Sequence, residues 1–275
     1  MGVWEWPLIL FTILGETAIG IILVLWWLNS EPISSELFKK ATFISGVLLA
    51  LAMVFSLFHL GHPEAAYRSL AHLGSSWLSR EILLFILSFV AWAYLFWQSR
   101  MSNGNISLAL GITSVLGVLG IISSSMIYVL PRVPAWNNAA TVFFFLLTAG
   151  LLGPLTILAL GAKKLQPAQR IGLIRWALGC VVASILVFTL YITFLENNVQ
   201  GVLTVQTLMT SPLFWVRSIA GWVLPLILLL QMLRSRNTSN LSLAILLVVL
   251  VGAGELLGRG LFYLSAVGIH ITALF

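Results

Sequence analysis

The 275-residue chain has no aspartate and one cysteine, and its 14 Lys and Arg with 8 Glu hold charged side chains to 8% of the sequence. A soluble domain carries about 25% charged residues. So few charges cannot solvate the surface of a 30.2 kDa globule. The lone Cys180 lies within an apolar run, which excludes a disulfide framework, a four-thiolate iron–sulfur cluster and a cysteine-rich zinc site. In that setting a cysteine acts as a small buried hydrophobe. The net charge of +6 does not point to nucleic acid, because the basic residues fall between apolar runs, where they set topology. What the chain has in abundance is apolar side chain: 60% hydrophobic residues and a mean hydropathy of +1.06. This composition is that of an all-α integral membrane protein, read as one membrane domain over residues 1–275.

A helix that crosses the hydrocarbon needs about 20 predominantly apolar residues. Eight runs qualify, at about 7–28, 41–60, 80–98, 107–130, 141–160, 171–195, 214–233 and 241–267, predicting a bundle of eight transmembrane helices. The breaks carry turn chemistry: Asn29 to Pro32, Gly61-His62-Pro63, Ser102 to Asn105, Pro131 with Pro134, Gln166-Pro167, Asn197-Asn198, and Asn237 to Asn240. The odd connections hold Lys39, Lys40, Arg100, Lys163, Lys164, Arg170, Arg175, Arg234 and Arg236, nine basic residues. The other side holds four: Arg68, Arg80, Arg132 and Arg217. That bias places the odd connections in the cytoplasm and both termini outside. Tryptophans at span ends, such as Trp6, Trp26, Trp27, Trp77, Trp97, Trp136 and Trp215, suit an interfacial aromatic belt.

Charge at membrane depth costs about 2.5–3.5 kcal/mol per residue on insertion scales, so each instance needs a reason. Glu16 lies in the middle of the first span, and Glu255 and Arg259 lie at i and i+4 in the last, on one helix face. They form a helix-packing ion pair joined by Glu16, or a proton path, or the polar wall of a ligand pocket. A secondary transporter with its substrate site at Glu16, Glu255 and Arg259 is the alternative function, although the sequence shows no inverted repeat and no span broken at its centre.

His59 ends the second span and Glu81 opens the third, and an antiparallel hairpin brings those ends to one membrane face. An imidazole beside a carboxyl in a half-dry site can accept protons near neutral pH. That suits oxidation of a membrane-dissolved quinol, which sheds two protons with its two electrons. Arg80, one residue from Glu81, points to another helix face or anchors a headgroup. Of the four histidines, His59, His62, His72 and His270, only His59 and His270 lie near span ends, both at the outer face. Two haems on opposite sides are therefore excluded. Electrons taken from a quinol would have to pass directly to a partner.

Through these residues the protein resembles the membrane-anchor subunit of bacterial dimethyl sulfoxide reductases, the third subunit of molybdenum oxidoreductase complexes. The resemblance includes Glu5-Trp6-Pro7-Leu8 with Phe11-Thr12, His59-Leu60-Gly61-x-Pro63 and Ser76-Trp77-Leu78-Ser79-Arg80-Glu81. Further on come Tyr128-x-Leu130-Pro131-x-x-Pro134-Ala135-Trp136-Asn137, Leu151-Leu152-Gly153-Pro154 and Ala253 to Gly260. Two places before Tyr128, where many relatives carry a basic residue, this protein has Met126. The resemblance implies eight helices with both termini periplasmic, in the bacterial inner membrane, and menaquinol oxidised near the periplasmic face. It implies no haem or iron–sulfur cluster in this chain. Electrons would go to a periplasmic-side iron–sulfur electron-transfer subunit and then to a molybdopterin catalytic subunit. It also implies quinol contact by His59 and Glu81, with Arg80 and Tyr128 as further candidate pocket residues.

Overall fold

Several of the polar residues read as breaks between spans act as helix caps. In a computed structural model describing residues 5–58, 68, 70–101, 105–235 and 238–268, the side chains of Ser76, Asn105, Asn198 and Asn240 each accept a backbone N–H of the helix that follows. Gln166 and Gln169 cap each other's backbone at the start of another helix, with Pro167 in its first turn. Such partners satisfy N–H groups that a helix end leaves open. The helices so bounded are α1 Trp6–Leu28, α2 Ser35–Phe58, α3 Trp77–Gln98, α4 Ile106–Met126, α5 Ala139–Gly161 and α6 Pro167–Leu195. There follow α7 Val199–Thr210, α8 Pro212–Ser218, a π turn Ile219–Val223, α9 Leu224–Arg234 and α10 Leu241–Leu264. Taking α8, the π turn and α9 as one span, eight helices among the described residues are long and apolar enough to cross a membrane.

The observed boundaries differ from the apolar runs where polar sequence stays helical or turn chemistry cuts in. α2 starts at Ser35, because the charged turn through Glu36, Lys39 and Lys40 is helical although it is not apolar. α4 stops at Met126, and Tyr128, Val129 and Leu130 donate to carbonyls of a tight turn ahead of Pro131. α7 was not expected. Its 12 residues span about 18 Å, too short to cross a hydrocarbon core of about 30 Å. The seventh span is continuous and carries a π turn at Ile219–Val223. Leu224 N–H reaches back to the Ile219 carbonyl, and the next residue, Pro225, has no N–H to continue the ladder.

Helices in lipid associate by close packing rather than by escape from water, so small residues mark the tight contacts. α1 is the most enclosed span and packs against α2, α4, α5 and α10. Gly20 and Gly153 put the α1 and α5 backbones in contact: a Cβ on Gly153 would lie 2.4 Å from the Gly20 carbonyl. Gly46 in α2 leaves room for the indole of Trp92, whose Nε1 donates to the Thr42 carbonyl at 2.8 Å. Large apolar side chains such as Phe43, Val90, Leu190 and Val249 point outward, as a lipid-facing surface requires.

The two ends of the bundle are built differently. At one, the connections carrying Lys and Arg are laced together: Lys164 to Glu36 at 2.5 Å, Gln169 Nε2 to the Pro32 carbonyl at 3.3 Å and Arg170 Nε to Thr238 at 3.1 Å. We call this the basic face. At the other, the aromatic face, Trp136 Nε1 donates to the Phe262 carbonyl at 2.9 Å and Val267 N–H to Thr204 at 3.3 Å. Trp6, Trp26, Trp27, Trp97 and Trp215 are exposed at span ends, as an interfacial belt requires, whereas Trp136 packs among Tyr128, Phe262 and Tyr263.

Candidate functional site

Near the middle of the bundle the intramembrane charges form two crossed pairs. Arg259 of α10 does not ion-pair with Glu255 on its own helix. Its Nη2 donates to both carboxylate oxygens of Glu16 on α1 at 2.8 Å, and its guanidinium lies 3.6 Å from the Phe145 ring centre on α5. Glu255 instead accepts from Thr148 of α5 at 2.6 Å and faces Arg217 of α8 at 4.0 Å. Arg217 was counted among the connection charges, but Pro212 starts its helix early enough to put it inside the span, buried. The basic bias is thereby nine against three. The trio considered as a transporter site is engaged with itself and with its packing partners.

Towards the aromatic face, Glu81 lies about one turn into α3 and is 5% exposed. The Ser124 side chain of α4 lies beside its carboxyl, and among the described residues no cation stands within ion-pair distance. Tyr128, just past the end of α4, completes this wall. Its ring is enclosed by Trp136, Phe145, Phe262 and Tyr263, and Tyr263 O–H donates to its oxygen at 2.9 Å. Arg80 turns away from Glu81, donating to the Leu73 and Gly74 carbonyls at 2.9 and 2.6 Å while stacking 4.4 Å over Trp77. It holds the connection in front of α3. His59 lies outside the described residues, as do His62 and His270, so the pairing of His59 with Glu81 has no geometry here. The structure places Tyr128 within electrostatic reach of Glu81 and sends Arg80 elsewhere.

Sequence reasoning passed over Ser124, Tyr263 and Thr148. Two of them had signals. Glu255, Arg259 and Tyr263 repeat every four residues along one face of α10, and Ser123-Ser124-Ser125 is a polar run in an apolar span. Thr148 had none, since a threonine in an apolar helix commonly bonds its own backbone.

An eight-span bundle with buried ion pairs inside it and a buried carboxyl near one face defines a polytopic membrane protein. The family model described as DMSO reductase anchor subunit (DmsC) matches residues 1–264, and the protein belongs to this family. It is 28% identical to a chain of the anaerobic dimethyl sulfoxide reductase of Haemophilus influenzae, with 98% of its own length and 96% of the relative covered. It is 29% identical, over the same shares, to the YnfH chain of an anaerobic dimethyl sulfoxide reductase of Escherichia coli. A shorter match, 31% identical over 44% of its length and 41% of the relative, is to a subunit of the sulfite dehydrogenase of Allochromatium vinosum.

Proposed function

We propose that this protein anchors a reductase of the dimethyl sulfoxide reductase type in the bacterial inner membrane and oxidises menaquinol at its aromatic face. The observation that carries the reading is Glu81: a buried carboxyl near a membrane face, with a hydroxyl and a tyrosine wall beside it and no cation among the described residues to fix its charge. A hydroquinone supplies two electrons and two protons, so its oxidation needs proton acceptors at the ring oxygens and an electron acceptor close by. His59, across the α2–α3 connection, takes a proton from one ring hydroxyl. Glu81 relays protons to the outer aqueous phase, with Tyr128 as the inner wall and Arg80 bracing the connection. The electrons leave for an iron–sulfur electron-transfer subunit and then a molybdopterin catalytic subunit.

The basic face is cytoplasmic, and both termini and the partners lie on the periplasmic side, the partners contacting the connections between Gly61 and Ser79 and between Pro131 and Ala140. This protein is the quinol-oxidising subunit and not the terminal reductase. The catalytic subunit chooses the acceptor, in keeping with relatives named for dimethyl sulfoxide reductase and for sulfite dehydrogenase. Replacing His59 with Arg or Glu81 with Lys should cut quinol-dependent turnover by about 100-fold or more, while activity with a soluble artificial donor persists. Unchanged quinol turnover, or loss of both activities through failed assembly, overturns the assignment. The orientation is checked by a cysteine at position 163, which should resist a membrane-impermeant thiol reagent added outside. Labelling there reverses the topology.

A further inference from the structure

Beside α10 lies a cleft that quinol oxidation at Glu81 does not use. It runs between α6 and α8, with α5 and α10 behind it and Leu208 of α7 over it at the aromatic face, and encloses about 70 Å³. Its walls are aromatic, formed by Phe144, Phe188, Tyr191, Phe214 and Phe262, and its polar end is Arg217 and Arg259 with Glu255.

The backbone is arranged to hold Arg217 there. Gly221 and Gly254 bring the π turn onto α10 so closely that a Cβ on Gly254 would sit 2.4 Å from the Gly221 Cα. Gly258 leaves room for the guanidinium, since a Cβ at that position would come within 2.9 Å of Arg217 Nε. The π turn carries Trp222, whose ring centre lies 3.6 Å from the guanidinium carbon. Single π turns inside α-helices occur frequently at functional sites. Held in this way, Arg217 faces Glu255 through Nη2, and its buried Nη1 has no hydrogen-bond partner among the described residues. A buried donor without an acceptor is costly, so a ligand oxygen placed there would be held firmly.

The surroundings select the oxygen. Glu255 already stands against Arg217, and Glu16 against Arg259, so a phosphate would bring an uncompensated negative charge beside a carboxylate. A neutral acceptor brings none. Flat aromatic walls favour a flat ring. Access is from the bilayer, because the flanking residues Leu186, Leu190, Trp215 and Ile219 are exposed.

We propose that this cleft is a second quinone site, in which a neutral ring enters between α6 and α8, lies against Phe188 and Phe214, and accepts a hydrogen bond from Arg217 Nη1 through a carbonyl or hydroxyl oxygen. The enclosed space takes the oxygen-bearing edge, and the rest of the ring and its tail occupy the lipid-facing mouth. The site binds and exchanges quinone, and no electron transfer is assigned to it. It goes beyond the Glu81 reading and does not depend on it.

The test is equilibrium dialysis of a radiolabelled short-chain naphthoquinone against the complex as isolated from membranes. Ser184→Phe, which fills the cleft, should bind one equivalent fewer than wild type, and Arg217→Lys, which keeps the charge opposite Glu255 but loses the second guanidinium nitrogen, should weaken the cleft's equivalent by about 10-fold or more. Should Ser184→Phe fail to assemble, Arg217→Lys alone decides. Unchanged stoichiometry and affinity in both variants overturns the proposal, as does a change in co-purifying phospholipid with naphthoquinone binding intact. Glu81→Lys separates the two readings. If it alone lowers binding, the cleft is refuted and Glu81 stands; if only the cleft variants lower binding, the reverse holds.

Discussion

Glu16 and Glu81 are buried carboxyls in the same bundle, 2% and 5% exposed, and they keep opposite company. Glu16 receives a guanidinium on both oxygens from a helix more than two hundred residues away in sequence, and so ties α1 to α10. Glu81 has the Ser124 side chain of the neighbouring helix beside it and, among the described residues, no cation. A guanidinium fixes both the position and the charge of the carboxylate it grips. A neutral hydroxyl nearby leaves the protonation state free to change. The two carboxyls therefore divide the labour, Glu16 holding the bundle together while Glu81 remains available to handle protons near the membrane face. Depth fits the division, because Glu16 lies mid-span and Glu81 about one turn from a helix end.

The largest effect should come from breaking the paired side. Arg259→Leu leaves Glu16 buried without its cation, at a cost of about 3–5 kcal/mol. Immunoblots of membranes should then show little or no protein, and a Glu16→Gln, Arg259→Gln double variant should recover part of it. Normal accumulation of Arg259→Leu would erase the contrast. A smaller effect is expected on the other side. Tyr128→Phe removes the acceptor for Tyr263 O–H, a hydrogen bond worth about 1 kcal/mol. Accumulation should be near normal, with quinol-dependent turnover lowered only a few-fold, and a loss as large as that of Glu81→Lys would make Tyr128 a direct proton carrier. The smallest effect belongs to the ion pair at the basic face. Lys164→Ala should leave the thermal stability of the complex unchanged, because this pair is exposed and screened.

Much of this arrangement is legible in the sequence, for a simple reason: in lipid, apolar run length and backbone hydrogen bonding leave few alternatives to spanning helices. The caps at Asn105, Asn198 and Asn240 follow from the same turn residues that mark the breaks. What stayed hidden is which polar groups meet. Glu255 and Arg259 stand four residues apart, which suggests a pair along one helix, yet each reaches across to another element. Side chains of adjacent turns lie near one another whatever they bond to, so spacing identifies the face and leaves the partner open. Arg217 was misplaced because composition sees an arginine near a span end, whereas Pro212 and the π turn before Pro225 fix how deep it lies. Glu81 itself was legible as a charge opening an apolar run. Its serine and tyrosine neighbours come from α4 and the turn after it, and only three-dimensional packing brings them to it.

The division between the two carboxyls is tested most directly by Glu81→Gln and Glu16→Gln compared in the same complex. For each, the ratio of quinol-dependent turnover to turnover with a soluble artificial donor is measured alongside the amount of protein in the membrane. Glu81→Gln should lower the ratio by about 100-fold at unchanged amount, and Glu16→Gln should lower the amount at an unchanged ratio. A lowered ratio in Glu16→Gln with Glu81→Gln unaffected would contradict the account.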